Sequence, residues 1–323
     1  MGFSSLRMKA LILIASVVFA PRPAAKTSSK LAEYMNAEVK TNHFSGAVLV
    51  AQKGEILLTA GYGMSEVNTK IPNVPNSKFH LGDIAHQFTA MAIMELAEAG
   101  KLNLKDPVCR YIANCPPGWQ EIKIVNLLTH TSGISDFPDY HNTSMLPTAV
   151  PQVLTRYQNK PLEFKPGDRL KFSNFGYDLL GAVIEKVSHG LYAKYIEERI
   201  FKPLGMHDTG YKKVGDSLYS TVGDLYLWDR ALYRGKLGSK EFLAQMFVPY
   251  RDGYGFGWKT LKEFKRRVLT NPAGASELSS VIRRYPDDDV CIIVLSDKED
   301  ANSEKISFDL GAIVFPVEIE RPK

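Results

Sequence analysis

Apolar and polar positions along this chain follow two periods in turn. Gly46-Ala-Val-Leu-Val-Ala51 and residues 55–62 read as strands, and Gln52-Lys53-Gly54 between them is a hairpin signal. A short helical stretch over 29–39 precedes them. Over residues 83–99 the period becomes helical. Phe88, Met91, Ala92, Met94 and Leu96 form an apolar stripe, Gly100 stops it, and Asp83 is placed to cap its start. The middle, 101–243, reads as helices joined by long loops, with helical segments at 122–128, 177–188, 191–200 and 221–232. Four strands follow at 254–261, 266–270, 277–285 and 290–296, and a helix over 302–315 closes the pattern.

Strands from both ends of the chain with a helical stretch between them predict an α+β architecture. An antiparallel sheet from about 29–82 and 250–323 is flanked by helices, and a helical lobe is inserted at about 101–245. A cleft between sheet and lobe is where a small-molecule site is expected. No internal repeat and no low-complexity segment interrupts the layout.

Composition narrows the function classes. Apolar residues at 45% and charged residues at 23% fit a globular chain and exclude a disordered or collagenous one. The net charge of +5 is inflated by Arg7, Lys9 and Arg22, which lie in a first 25 residues without an acid. The remainder is too near neutral to predict a nucleic-acid partner. Those 25 residues run from a basic start through the small and apolar stretch 10–20 to Ala20, Ala24 and Ala25. This is the pattern of a secretory signal peptide, with an uncleaved anchor as the alternative; the apolar run is short for a bilayer span. Residues 26–323 are then expected to form a single domain, secreted or periplasmic, with no stable membrane span.

Cys109 and Cys115 lie six apart, and the sequence leaves open a disulfide or two buried thiols. Cys291, in Val290-Cys291-Ile292-Ile293-Val294-Leu295, reads as strand core. No Cys/His spacing fits a zinc site, and no cofactor or metal is implied.

Seven stretches in order carry a resemblance: Gly46-Ala-Val-Leu-Val with Gly61-Tyr-Gly63; Phe79-His-Leu-Gly82 with Gln87-Phe-Thr-Ala90; Gly100-Lys-Leu-Asn-Leu-Lys-Asp-Pro107; Leu127-Leu-Thr-His-Thr-Ser-Gly133; Phe164-Lys-Pro-Gly167 with Phe172-Ser-Asn174 and Leu179-Leu-Gly181; Pro203-Leu-Gly-Met206; and Gly253-Tyr-Gly-Phe-Gly-Trp258. Together they resemble the serine β-lactamase and penicillin-binding-protein superfamily, on the branch of class C β-lactamases, D-Ala-D-Ala carboxypeptidases and related esterases. The resemblance spans about 31–315 and implies a β-lactamase-like fold.

That family's chemistry uses Ser-x-x-Lys, whose Lys accepts the proton of the attacking Ser. It also uses Tyr-x-Asn and a Lys- or His-Ser/Thr-Gly triplet on a cleft strand. The resemblance places Asp83 at the nucleophile position and His86 at the base position. It places Phe172 at the Tyr position with Asn174 keeping its amide, and Asn271-Pro272-Ala273 at the triplet. No serine in the chain has Lys three residues later, and neither Gly-x-Ser-x-Gly nor His-Glu-x-x-His occurs. His130-Thr131-Ser132-Gly133 looks like a catalytic triplet but follows a helix, and in the family it is structural.

Asp83 and His86 share a helix face. They are expected to form a local ion pair that raises the His86 pKa, or alternatively to activate a water. A metal would need a third ligand, for which His80 and His141 are candidates. The expected function is a catalytically inactive pseudoenzyme whose cleft holds a peptide, a cell-wall fragment or a protein partner. The alternative is a hydrolase acting through Asp83 and His86.

Overall fold

The computed structural model describes residues 23–66, 71–136, 150–211, 217–234, 237–270 and 279–315. The first helix, α1 (Pro23–Asn42), extends beyond the predicted 29–39 on both sides. Its Leu31 and Met35 are fully buried. Strands β1 (Gly46–Gln52) and β2 (Glu55–Tyr62) pair antiparallel. Lys53 and Gly54 between them both take positive φ, 51° and 81°, the geometry of a tight two-residue turn in which glycine is favoured.

Short strands β3 (Met64–Glu66), β4 (Ile71–Pro72) and β5 (Phe79–His80) lead to a 3₁₀ turn (Gly82–Ala85) and α2 (His86–Glu98). The lobe runs through α3 (Ile124–Leu128), α4 (Val150–Leu154), α5 (Asn174–Ser188) and α6 (Tyr192–Ile196). A π-helical turn (Glu197–Phe201) then passes into α7 (Lys202–Leu204), so the single helix expected over 191–200 is two short pieces, with a third beyond it. After β6 (Gly210–Tyr211) and β7 (Leu218–Ser220) come α8 (Val222–Arg234) and α9 (Lys240–Met246). β8 (Lys259–Glu263), β9 (Arg266–Thr270), β10 (Val281–Tyr285), β11 (Val290–Leu295) and α10 (Ser303–Val314) follow.

Six strands form one antiparallel sheet in the order β2-β1-β11-β10-β9-β8, so its centre joins the two ends of the chain. Every residue of β11 is buried, and the strand period divides them between two cores. Val290, Ile292 and Val294, with Val48 and Val50 of β1, pack under α1 and α10. Cys291, Ile293 and Leu295, with Ala47, Leu49 and Ala51, face the core shared with α2 and the lobe. The α+β, β-lactamase-like layout expected from the sequence is therefore present.

Two details differ from expectation, and one alternative is decided. The strand predicted over 254–261 begins only at Lys259. The preceding residues turn instead: Gly257 has φ +74°, and a Cβ there would lie 2.9 Å from the His86 carbonyl oxygen. This turn is therefore pressed against the start of α2. Asp83 is not the cap of α2; it lies inside the 3₁₀ turn, and no side chain caps either segment. Cys109 and Cys115 are joined, with Cα atoms 5.3 Å apart, while Cys291 is a buried free thiol. Among the described residues no helix is long and apolar enough to cross a membrane.

Candidate functional site

The first turn of α2 carries His86, only 8% exposed. Its ring stacks on Tyr177 of α5, with centroids 3.9 Å apart and planes 20° apart. Phe172 and His130 each lie 5.6 Å away, centroid to centroid. The Nδ1 atom is buried without a hydrogen-bond partner. Burial alone drives the pKa of His86 down to about 3. The expected ion pair with Asp83, which would have moved this pKa up, is therefore corrected: desolvation governs His86, and no stabilising charge offsets it. Sequence spacing put both residues on one helix face. The 3₁₀ geometry at 82–85 and the rings packed round the imidazole decide otherwise.

Opposite this turn stands the start of α5. Ser173 is its N-cap: the hydroxyl accepts the Gly176 N–H at 3.2 Å and donates to Asp136 Oδ1 at 2.6 Å. Asp136 also accepts the N–H groups of Asn174 at 2.7 Å and Phe175 at 3.3 Å. A carboxylate at a helix N-terminus meets both the unpaired donors and the positive end of the helix dipole.

His130 locks this corner. It holds a positive φ of 51°, and its Nδ1 accepts the Ser173 N–H at 3.2 Å. A backbone N–H can only donate, so the neutral ring carries its proton on Nε2 and donates it to the Tyr254 hydroxyl at 3.1 Å. Burial, and then the proximity of His86, hold the His130 pKa well below its ordinary value. Its ring stacks on Phe172 at 4.0 Å. Ser173, His130 and Asp136 thus gather the residue types of a hydrolytic triad, wired differently. The serine hydroxyl binds the carboxylate, and the imidazole binds the serine backbone, so no imidazole addresses the hydroxyl.

Tyr254 and Tyr177 complete the wall. Tyr177 donates its hydroxyl to the Leu128 carbonyl at 2.8 Å. Tyr254 has its pKa raised well above the ordinary phenol value, chiefly by burial; the Tyr177 hydroxyl and the charge of Asp83 add to it. Phe172 remains 38% exposed, with its ring 6.4 Å from that of Tyr254.

The structure thus brings Asp83, His86 and Phe172 to one wall and adds three residues that sequence reasoning did not assemble: His130, Tyr177 and Tyr254. A signal for His130 existed, because it sits in the heptapeptide 127–133. Asn174 contributes its backbone N–H to Asp136 from the first position of α5. Asn271, Pro272, Ala273 and His141 lie outside the described residues. His80 lies on β5, where its own N–H donates to Asp297. No group of three His, Cys, Asp or Glu suited to a metal occurs among the described residues. An open cavity of about 650 Å³ lies elsewhere on the lobe, lined by Lys194, Glu197, Phe201, Tyr211 and Tyr219.

At neutral pH this wall is an array of uncharged rings. An imidazole that binds protons as weakly as His86 makes a poor general base, since efficiency requires a pKa near the working pH.

The same architecture occurs in known proteins. A penicillin-binding protein from Bacillus halodurans superposes with a TM-score of 0.77 at 23% identity, covering 87% of this chain and 99% of that one. FmtA from Staphylococcus aureus superposes with a TM-score of 0.75 at 19% identity, covering 90% and 89%. In sequence, penicillin-binding protein 4* of Bacillus subtilis is 31% identical over 314 residues, covering 80% of this chain and 69% of that protein. Protein flp of Staphylococcus aureus is 32% identical over 193 residues, covering 58% of this chain and only 39% of its own length. The Beta-lactamase family model matches residues 30–310. With the sheet, the lobe and nearly the whole folded length accounted for in this way, the chain belongs to the β-lactamase family.

Proposed function

We propose that this protein is an exported member of the β-lactamase family that performs no acyl transfer and keeps its cleft as a binding site. The observation that carries this reading is the state of His86. Where the family resemblance puts a proton-accepting Lys, there is a buried, uncharged imidazole with an unpartnered Nδ1, stacked on Tyr177. Asp83, three residues before it, has no hydroxyl to activate, and Phe172 has none to share in proton transfer. Asn271 and Pro272, at the positions of the cation and its neighbour, extend the same pattern in sequence. Groups that act as a unit are lost as a unit, because removing the nucleophile alone already removes most of the rate.

Export is supported by the signal-like residues 1–25, with 26–323 as the working domain, and by the Cys109–Cys115 bridge, which suits an oxidising compartment. The ligand classes that fit are a peptide, a cell-wall fragment or a protein partner.

Incubation with a fluorescent penicillin and a fluorophosphonate, followed by intact mass, is expected to show no adduct. A stoichiometric adduct on a residue of the cleft would instead establish a hydrolase working through a non-standard site such as Asp83 and His86. Asp83→Ser with His86→Lys is expected to give little turnover of a chromogenic ester. Clear turnover is expected only when Phe172→Tyr and a Lys-Thr-Gly replacement of residues 271–273 are added. Each oriented acid–base partner is worth about a hundredfold or more.

A further inference from the structure

The cavity on the lobe shares no lining residue with the cleft wall. We propose that it is a second binding site, which takes an uncharged aromatic small molecule packed against Tyr211 and Tyr219. This inference goes beyond the reading above and holds whether or not the cleft is catalytic.

Four observations lead to it. First, the cavity has the size and lining of a ligand site. Its volume of about 650 Å³ lies in the usual range for small-molecule pockets. Phe201 and Met206 give it buried apolar surface, while Tyr211 and Tyr219 are only half-buried, so ring surface remains open to a ligand. Leu191, the residue before α6, also lines it and is left 61% exposed.

Second, one ring is fixed before any ligand arrives. Tyr219 of β7 pairs with Gly210 of β6, which has no side chain to cover it; a Cβ there would lie 3.5 Å from the Tyr219 hydroxyl oxygen. Lys78, which does not line the cavity, stands 5.2 Å from the centre of the Tyr219 ring and is paired with Asp208 at 3.0 Å. A ring held in this way has little freedom left to lose on binding.

Third, the helical wall changes form at the cavity. Glu197, Glu198 and Phe201 of the π-helical turn all line it. Single π turns are rare and concentrate at functional sites. Fourth, the lysines and glutamates of the lining match one another: Lys194 meets Glu198 at 3.8 Å and Lys202 meets Glu197 at 2.8 Å. They offer no unmatched charge to an ion of either sign. Transfer of an apolar ring from water, with ring–ring contact to the two tyrosines, is the driving force that remains.

The test is titration calorimetry on the full chain with 2-naphthylmethanol, the anion 2-naphthoate, the cation 2-naphthylmethylammonium and the saturated alcohol decahydro-2-naphthylmethanol. 2-Naphthylmethanol is expected to bind at least about fivefold more tightly than either ion. It is expected to exceed the saturated alcohol by about two- to tenfold, the range of an aromatic pair.

Ala193→Trp, placed to fill the cavity from α6, is expected to abolish binding. Leu191→Ser, at an exposed position that folding does not depend on, is expected to weaken binding about threefold with an unchanged thermal midpoint. Tyr219→Leu is expected to remove the preference for the aromatic alcohol. These last two keep the test decisive if Ala193→Trp does not fold. No binding of 2-naphthylmethanol up to its solubility limit, equal or tighter binding of either ion or of the saturated alcohol, or folded variants that bind like the original protein would each overturn the proposal.

Discussion

Two buried polar regions of this molecule are built on opposite principles. Arg283 and Arg284 stand side by side on β10, only 1% and 2% exposed, and the strand period sends them to opposite faces. Arg283 is bonded to Glu263, to Glu304 at 2.6 Å and to the Ser307 hydroxyl at 3.1 Å. Arg284 is bonded to Asp229, which is wholly buried, and lies 4.7 Å from the centre of the Tyr233 ring. Arg230 joins Asp229 at 2.7 Å and also meets Asp289. Each guanidinium here has its carboxylate.

At the cleft wall the accounting is different. His86 Nδ1 and Gln87 Nε2 are buried with no partner, although Gln87 accepts the Trp228 indole N–H at 2.9 Å. An orphaned buried polar atom costs about 1–3 kcal/mol. A wall selected only for stability would carry carbon at that atom. The lesson lies in charge: each buried guanidinium of the sheet is matched by a carboxylate, whereas the imidazole of the wall is buried uncharged; orphaned polar atoms occur in both regions, the Tyr233 hydroxyl and the Trp258 indole N–H beside Arg284 among them.

The comparison can be broken first at the ion network. Asp229→Ala leaves the Arg284 guanidinium buried and uncompensated, and it is expected to cost about 3–5 kcal/mol in guanidinium chloride unfolding. A loss under about 1 kcal/mol would mean that water reaches the network and that the contrast is false.

The wall responds to acid. The folded-state pKa values of His86 and His130 lie below the unfolded value of about 6.5, so between these values the unfolded chain binds more protons. Stability due to the neutral imidazoles is fully present above pH 6.5 and falls as pH drops, by about 1.4 kcal/mol per pH unit for each ring. For His86 the loss continues to about pH 3. His86→Phe is expected to reduce proton uptake on unfolding at pH 5 by about one and to raise stability there. An unchanged acid slope would show that His86 is already charged in the folded protein.

The smallest effect is expected at Phe172. Its ring is 38% exposed, so Phe172→Tyr adds a hydroxyl that solvent can reach. The change should stay within about 0.5 kcal/mol by thermal melting. A larger destabilisation would mean that the ring is enclosed and the wall is closed to ligands.

Much of the sheet was legible in advance. The unbroken apolar runs at 290–295 and 46–51 specify strands buried on both faces, and they pair as Val48↔Val294 and Val50↔Ile292. The two arginines in the fully buried β10 were not legible. Their partners Asp229, Glu263 and Glu304 lie on three other elements. The turn at 254–258 reads as strand by alternation, because the pressure of Gly257 on the His86 backbone is a tertiary fact.

At the site, motif register located His86 and Phe172, and their rings do meet. The spacing argument for an Asp83–His86 pair failed because it assumed an α-helical first turn and a solvated imidazole. The chain forms a 3₁₀ turn there and closes rings from α5 and the 127–133 segment over His86.

The central claim is that the imidazoles of the cleft wall are neutral packing groups. The most direct measurement is a histidine-selective NMR titration from pH 8 to pH 4.5. The account predicts that His86 and His130 keep neutral-ring nitrogen shifts throughout, with His130 protonated on Nε2. If the His86 resonance titrates near or above pH 6.5, then a carboxylate supports its charge, and a working Asp83–His86 pair replaces the neutral wall.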